Sequence, residues 1–274
     1  MKQNIKLIAL DLDGTTFTTE KTITSKTKSV IETAIRQGIH VLPATGRQVE
    51  GLPDAFLEIP GVRYALTSNG ASVVDLQTKK PVFSDLIPYE EASKILSYLQ
   101  SQDTLVDIYQ NGTCYIDASL YSIMGQYVDD FHLPYFHATR NPIEDLPQYI
   151  LDHKLNVEKY HMLFQDMELH SHIRKTLEAT SGIAVTTAIS NNLEVNAATT
   201  NKGVGVLALA DILGIDHNQT MVIGDSYNDV DMMKAAGFSV AMGNAPDDIK
   251  SICDAVTKTN DEDGVAYAIE TFVL

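Results

Sequence analysis

The chain has 274 residues, 44% of them hydrophobic, enough for one large domain or two modest ones with a sizeable core. Its formal net charge of −16 excludes a surface built to hold a nucleic-acid backbone, and no apolar run is long enough to span a membrane. The two cysteines, Cys114 and Cys253, stand far apart in no metal-ligand spacing, and no signal-peptide pattern opens the chain, so a reduced, cytoplasmic setting is expected.

Ile5–Leu10 is a short apolar run stopped by Asp11-Leu12-Asp13-Gly14-Thr15, which predicts a buried strand ending in a polar turn. Thr24 or Ser25 can cap a helix running to about Gln37, with Val30, Ile31, Ala34 and Ile35 on its apolar face and Gly38 as its stop. Ile39–Leu42 predicts a second buried strand, ending at Pro43-Ala44-Thr45-Gly46-Arg47, and Tyr64–Thr67 a third, ending at Ser68-Asn69-Gly70. From about Leu86 to Leu193 tyrosines and histidines gather. Strand-like runs (Leu105–Tyr109, Thr113–Ile116, Tyr160–Phe164, Ile183–Ala188) mix there with helical ones (Tyr89–Gln100, His170–Ala179). Strand–helix alternation then returns, with a helix at about Gly203–Leu213 stopped by Gly214 and a strand at Thr220–Ile223 ending at Gly224-Asp225-Ser226. A helix near Asp229–Ala236, a strand at Phe238–Ala241, a helix opening after Ala245-Pro246 and a last helix at Val265–Phe272 complete the chain. The pattern predicts an α/β fold: a Rossmann-like doubly wound parallel sheet made by residues 1–85 and 194–274, with an α+β domain inserted at 86–193.

Open parallel sheets bind ligands outside the carboxyl ends of their strands. Four polar clusters fall at such ends: Asp11/Asp13, Thr45-Gly46-Arg47, Ser68-Asn69-Gly70 and Gly224-Asp225. Lys202 stands just before a predicted helix, where an ammonium and backbone N–H groups can meet an anion. Each cluster alone also reads as ordinary turn or helix-cap chemistry, and Lys202 alone as a solvated lysine. Two carboxylates as close as Asp11 and Asp13 disfavour joint ionisation unless a cation or a phosphoryl group sits with them. Taken together, two acidic clusters, a hydroxyl and a lysine make a set suited to Mg²⁺-assisted phosphoryl transfer.

These residues resemble the four motifs of the haloacid dehalogenase superfamily, in order: Asp11 to Thr15, Thr45, Lys202, and Gly224-Asp225 with Asp229. The span from Asp13 to Thr45 is too short for a folded cap, whereas that from Thr45 to Lys202 has room for a large one. With Ala44-Thr45-Gly46-Arg47, Ser68-Asn69-Gly70-Ala71 and Gly224-Asp225-Ser226, this is similar to the Cof-type sugar-phosphatase branch, whose inserted cap is of type IIB. Two departures are the lack of Pro or Gly between Asn196 and Asn201 and the pair Thr16-Phe17 in place of two apolar residues.

The resemblance implies a phosphoric monoester hydrolase for small phosphorylated metabolites. Asp11 would be the nucleophile that forms an aspartyl-phosphate, and Asp13 general acid and then general base. These two roles need opposite protonation, which a close carboxylate pair can supply by splitting its titration. Mg²⁺ would be held by Asp11, the Asp13 main-chain carbonyl and Asp225. Thr45, Gly46 and Lys202 would bind the phosphoryl group, Asn228 would lie nearby, Arg47 and Asn69 would be rim contacts, and Asp229 would orient Lys202 or metal-bound water. The inserted cap would choose the leaving group. A phosphomutase and a non-catalytic phosphosugar-binding regulator are the rival readings; retention of both Asp11 and Asp13 speaks against the second. A dinucleotide-binding module is poorer, since no Gly-x-Gly-x-x-Gly follows the first strand.

Overall fold

The computed structural model describes residues 2–187 and 189–274. They form two compact units, one of Met1–Arg47, Leu52–Phe83 and Asn201–Leu274, the other of Gln48–Gly51 and Ser84–Thr200. In chain order the first unit supplies β1 (Leu7–Leu10), β2 (His40–Pro43), β3 (Tyr64–Thr67), β4 (Ser72–Asp75) and β5 (Lys80–Ser84). The second supplies β6 (Leu105–Gln110), β7 (Thr113–Asp117), β8 (Arg140–Ile143), β9 (Lys159–Leu163), β10 (Ile183–Thr186) and β11 (Asn192–Ala197). The first unit then resumes with β12 (Thr220–Gly224), β13 (Phe238–Ala241) and β14 (Ala255–Val256).

The first unit is the expected α/β core. Its sheet runs β14-β13-β12-β1-β2, every pair parallel. Every residue of β1 and β12 is buried, because helices cover both faces of a parallel sheet, and this is why the strands read as unbroken apolar runs. The helix Ser25–Arg36 is capped by Thr24, whose hydroxyl oxygen accepts the Thr27 N–H at 3.1 Å, and it buries Val30, Ile31 and Ala34. Leu7, Ala9, Leu42, Leu66 and Val222 pack with Val206 and Leu209 of the helix Lys202–Leu213 and with Met232 and Met233. Beyond β2 the chain adds β3, joined to it where Thr45 N–H donates to Leu66 O at 3.0 Å, followed by antiparallel β4 and by β5. The β4–β5 hairpin was not expected. Its strands are short, and β5 is mostly exposed, so it carries little apolar signal.

The second unit is α+β, with a sheet in the order β10-β11-β9-β6-β7-β8, antiparallel except for β7 with β8. One face is apolar: Val106, Ile108, Tyr160, Met162, Leu193 and Val195 pack against helices through Leu96, Ile150, Ile173 and Leu177. The opposite face mixes a second apolar cluster of Leu105, Ile116 and Leu163 with a row of polar residues. Asp107 stands opposite His161, which stands opposite Glu194, and Tyr109 opposite Lys159. Lys159 Nζ lies 2.8 Å from Glu194 Oε1, and Arg140 Nε lies 3.1 Å from Asp107 Oδ2. Burial works to raise the Asp107 pKa, but Arg140 and His161 outweigh it and hold it down to about 2.

The unit boundary falls at Thr200, past the expected 193, because β11 belongs to this sheet. The alternation Asn192-Leu193-Glu194-Val195-Asn196-Ala197 is a strand signal masked by polar residues of low strand propensity. Residues 48–51 also join this unit, with Glu50 N–H donating to Gly112 O at 3.1 Å. The expected strand Ile183–Ala188 is seen as Ile183–Thr186, and Ala188 lies outside the described residues. The helix expected from His170 begins at Met167, capped by the Asp166 carboxylate on the N–H groups of Glu168 and Leu169.

Candidate active site

Strand register builds the site. Leu10 pairs with Ile223 on one side and Pro43 on the other, and Gly224 pairs with Ala241. Asp11, Ala44-Thr45, Asp225 and Met242 therefore leave the sheet side by side at its carboxyl edge. The turn after β1 is tight: Phe17 N–H donates to Leu12 O at 2.9 Å, and the Thr16 hydroxyl donates to Asp11 O at 2.6 Å. Gly14 has φ +84°, and a Cβ there would lie 2.5 Å from Asp225 Oδ2, so only glycine lets that carboxylate rest against the turn. The Thr15 hydroxyl donates to Asp225 Oδ1 at 2.7 Å.

Lys202 is 1% exposed, and its Nζ lies 2.6 Å from both Asp11 Oδ1 and Asp229 Oδ1. It is the first residue of the helix Lys202–Leu213, capped by Asn201, whose Oδ1 accepts the Val204 N–H at 2.9 Å. Asp229 Oδ2 accepts the N–H groups of Asp225 (3.0 Å) and Ser226 (3.1 Å). One carboxylate oxygen from each of Asp11, Asp225 and Asp229 lies within 4.8 Å of the others. Three carboxylates against one ammonium leave a buried excess of negative charge, which is costly. Burial first, then Asp229 and Asp225, push the Asp11 pKa well above the carboxylate range against the pull of Lys202. Burial likewise pushes Asp225 up to about 6, with Asp229 adding to it. For Lys202, burial works to lower the pKa, but Asp11 and Asp229 outweigh it and raise it.

An all-oxygen donor set with surplus negative charge fits a hard divalent cation. Asp229 brings a third carboxylate to Asp11 and Asp225, beside the two side chains expected to hold the ion. Both oxygens of Asp229 already accept hydrogen bonds, which leaves Asp11 and Asp225 the more open ligands.

The Asp13 carboxylate turns elsewhere. Arg47 donates to it from Nε at 3.1 Å and from Nη2 at 2.9 Å, both to Oδ2, and Lys21 Nζ lies 2.8 Å from Oδ1. Burial works to raise the Asp13 pKa, but Arg47 and Lys21 outweigh it and lower it. The two pKa values are thus shifted opposite to the sense that the expected roles need: Asp13 down and Asp11 up. On Asp13 the cause is the pair of cations, of which the sequence placed Arg47 only at the rim and Lys21 nowhere; on Asp11 it is burial.

Thr45 is buried; its Oγ1 accepts the Arg47 N–H at 3.2 Å, which leaves the hydroxyl proton to donate. Gly46 lies half-buried in the bend between them. Asn69, at φ +60°, donates its N–H to Thr45 O at 3.1 Å, so it shapes the Thr45 loop from within. The Asn228 side chain is turned to Ser226, whose hydroxyl donates to its Oδ1 at 2.6 Å. Two site residues were missed. Lys21 sits in no motif. Asn244, whose Nδ2 donates to Gly14 O at 2.8 Å, follows β13 and was findable by the same strand-end rule that picked out Asp225.

The family model of haloacid dehalogenase-like hydrolases matches residues 8–269. The chain is 30% identical to Phosphatase YwpJ of Bacillus subtilis, over 97% of this chain and 99% of that protein. It is 29% identical to the 5-amino-6-(5-phospho-D-ribitylamino)uracil phosphatase YcsE of the same organism, over 99% and 97%. Its fold superposes with a TM-score of 0.82 on a haloacid dehalogenase-like hydrolase from B. subtilis, 28% identical, covering 97% of this chain and 99% of that one. The motif residues, the parallel sheet that aligns them and these relatives agree: the chain belongs to the haloacid dehalogenase-like hydrolases, in their Cof-type branch, and is a phosphoric monoester hydrolase.

Proposed function

We propose that the protein hydrolyses small phosphorylated metabolites, sugar phosphates or similar monoesters, in a cytoplasmic setting, through an aspartyl-phosphate on Asp11 and with Mg²⁺. The observation that carries this reading is the convergence of Asp11, Lys202, Asp225 and Asp229 at one sheet edge. Asp11, the Asp13 main-chain carbonyl and Asp225 would hold the ion. When bound, Mg²⁺ would neutralise the Asp11 carboxylate and the phosphoryl oxygens.

Lys202 orients the Asp11 carboxylate and stands where a phosphoryl oxygen would arrive beside it, with the Thr45 hydroxyl as a second donor. An Asp11 oxygen attacks phosphorus, and the ester P–O bond breaks. Asp13 gives its proton to the departing oxygen, then takes one from the water that attacks the aspartyl-phosphate, releasing inorganic phosphate and restoring Asp11. Asp13 must first gain that proton. A dianionic phosphoryl group beside Thr45 competes for the Arg47 guanidinium, and each donor it draws away raises the proton affinity of Asp13. Asp229 keeps Lys202 in place and charged.

The test is Asp11→Asn assayed with p-nitrophenyl phosphate and a panel of phosphomonoesters that includes sugar phosphates and phosphoribitylamino-uracil, the latter because of the YcsE relative. Turnover falls by about 10⁴-fold or more with the circular-dichroism spectrum unchanged. Activity within about tenfold of wild type would remove Asp11 as nucleophile.

A further inference from the structure

Lys21 belongs to no motif, yet it is one of two cations that grip Asp13. It lies at the tip of a turn closed by Thr18 N–H to Thr22 O and by Lys21 N–H to Thr18 O, both 2.9 Å. Its φ is +59°, a backbone region that lysine enters only where the surroundings enforce it. The loop is tied down from outside. The Thr19 N–H and hydroxyl donate to the two oxygens of Asp261 at 2.8 and 2.7 Å, and Asn260 Nδ2 donates to Phe17 O at 3.0 Å. The Lys21 and Asp13 side chains are 59% and 42% exposed, so the pair adds little to stability. A strained, latched turn that delivers an ammonium for so little stabilisation calls for another use.

The donor geometry supplies one. The Arg47 fork grips Oδ2 from Nε and Nη2, with Nη2 also 3.1 Å from Oδ1, while Lys21 reaches Oδ1 from a different loop. Three nitrogens from two loops fix both the plane and the tilt of the carboxylate, which the fork alone does not. Arg47 shares its loop with Thr45, to whose Oγ1 its N–H donates at 3.2 Å, so a phosphoryl group bound there would compete for it. Lys21 is the donor to Asp13 that comes from outside the Thr45 loop.

We propose that Lys21 is a positioning residue that aims the Asp13 carboxylate at the oxygen leaving the ester. The proposal rests on the reading of Asp13 as the group that exchanges protons with the leaving oxygen and with water. It predicts a dependence on leaving group. An alkyl phosphate must expel a strongly basic alkoxide and needs a well-placed proton donor, whereas p-nitrophenolate departs nearly unaided.

The experiment compares wild type, Lys21→Gly, Lys21→Arg and Asp13→Asn on an alkyl phosphomonoester and on p-nitrophenyl phosphate, with saturating Mg²⁺. Glycine accepts φ +59°, so Lys21→Gly removes the ammonium without straining the turn. Expected for Lys21→Gly is a kcat loss of about tenfold or more on the alkyl ester, under about threefold on the aryl ester, with KM little changed, and partial recovery in Lys21→Arg. Equal losses on both esters, or none on either, with Asp13→Asn still selective for the poor leaving group, would overturn the role of Lys21 alone. If Asp13→Asn itself shows no such selectivity, the reading of Asp13 falls, and the proposal with it.

Discussion

Asp225 is where the cost of assembling the site shows as a pH dependence. In the folded chain burial pushes its pKa up to about 6, with Asp229 adding to it, whereas an unfolded aspartate titrates near about 4. Between those values the native state binds more protons than the unfolded one, so this residue makes stability fall as pH rises from about 4 to about 6 and stay low above that. Asp107 acts in the opposite sense. Its folded value of about 2 gives stability that is present above about 4 and lost as pH falls toward 2. Asp225→Asn removes the penalty at its source. In chelator at pH 7.5 the variant melts a few degrees above wild type, reflecting roughly 1–2 kcal/mol once partial solvent screening is allowed for. Mg²⁺ reverses the order. It raises the wild-type Tm more at pH 7.5 than at pH 5, because protons compete for the same oxygens, and it scarcely moves the variant. Calorimetry with and without Mg²⁺ at the two pH values checks this; an equal Mg²⁺ shift in both proteins would take Asp225 out of the ligand set.

The element that places Lys202 depends on a glycine in a different loop. Gly70 has φ +99°, and a Cβ there would overlap the carbonyl of Asn201, the cap of the Lys202–Leu213 helix. Gly205 packs the same helix against Leu66 and Gly70. Gly70→Ala therefore has to push the helix start, and Lys202 with it, away from Asp11. Its expected cost is at least about 2 kcal/mol in urea unfolding, with turnover down more than tenfold, since the displaced group is a buried counter-ion. Gly214→Ala is the control. It also has a positive φ, +68°, but open space around the Cβ, so its cost stays near about 1 kcal/mol with activity intact. Equal effects from the two variants would mean that backbone strain, not helix placement, accounts for Gly70. The Gly70 contact also shows what sequence reading reaches. Asn69-Gly70 was visible as a turn after β3, but not that its glycine is shaped to the cap of a helix more than a hundred residues on. Motif acids were legible because each follows a strand with two buried faces. Lys21 was not, because its partner is chosen by the path of a loop latched to Asp261 and not by any spacing. The strands of the second unit were legible where apolar residues alternate through the run, as in β6 and β9 with Val106, Ile108, Tyr160 and Met162, and missed in β11, where asparagine and glutamate fill the polar face.

At the scale of the whole molecule, two fields of opposite sign act on an arriving phosphate ester. The chain carries −16. Around the site, Lys21, Arg47 and Lys202 face Asp11, Asp13, Asp225 and Asp229, so a bound divalent ion leaves a small positive excess. Which field governs capture depends on range. At about 0.01 M ionic strength the screening length is about 30 Å, and the substrate meets the charge of the entire protein; at about 0.15 M it is about 8 Å, and only the site itself is felt. Added salt therefore removes the long-range repulsion before it weakens the local attraction. With Mg²⁺ saturating, kcat/KM for a dianionic sugar phosphate rises about two- to fivefold between these salt levels, while kcat is unchanged because the bound state is already inside the local field. An ester whose leaving group bears a cation, and so carries less net negative charge, shows a smaller rise. A fall of kcat/KM with salt for the dianion would mean that the positive edge made by Lys21, Arg47 and the ion reaches beyond the site and draws substrate in despite the acidic surface around it.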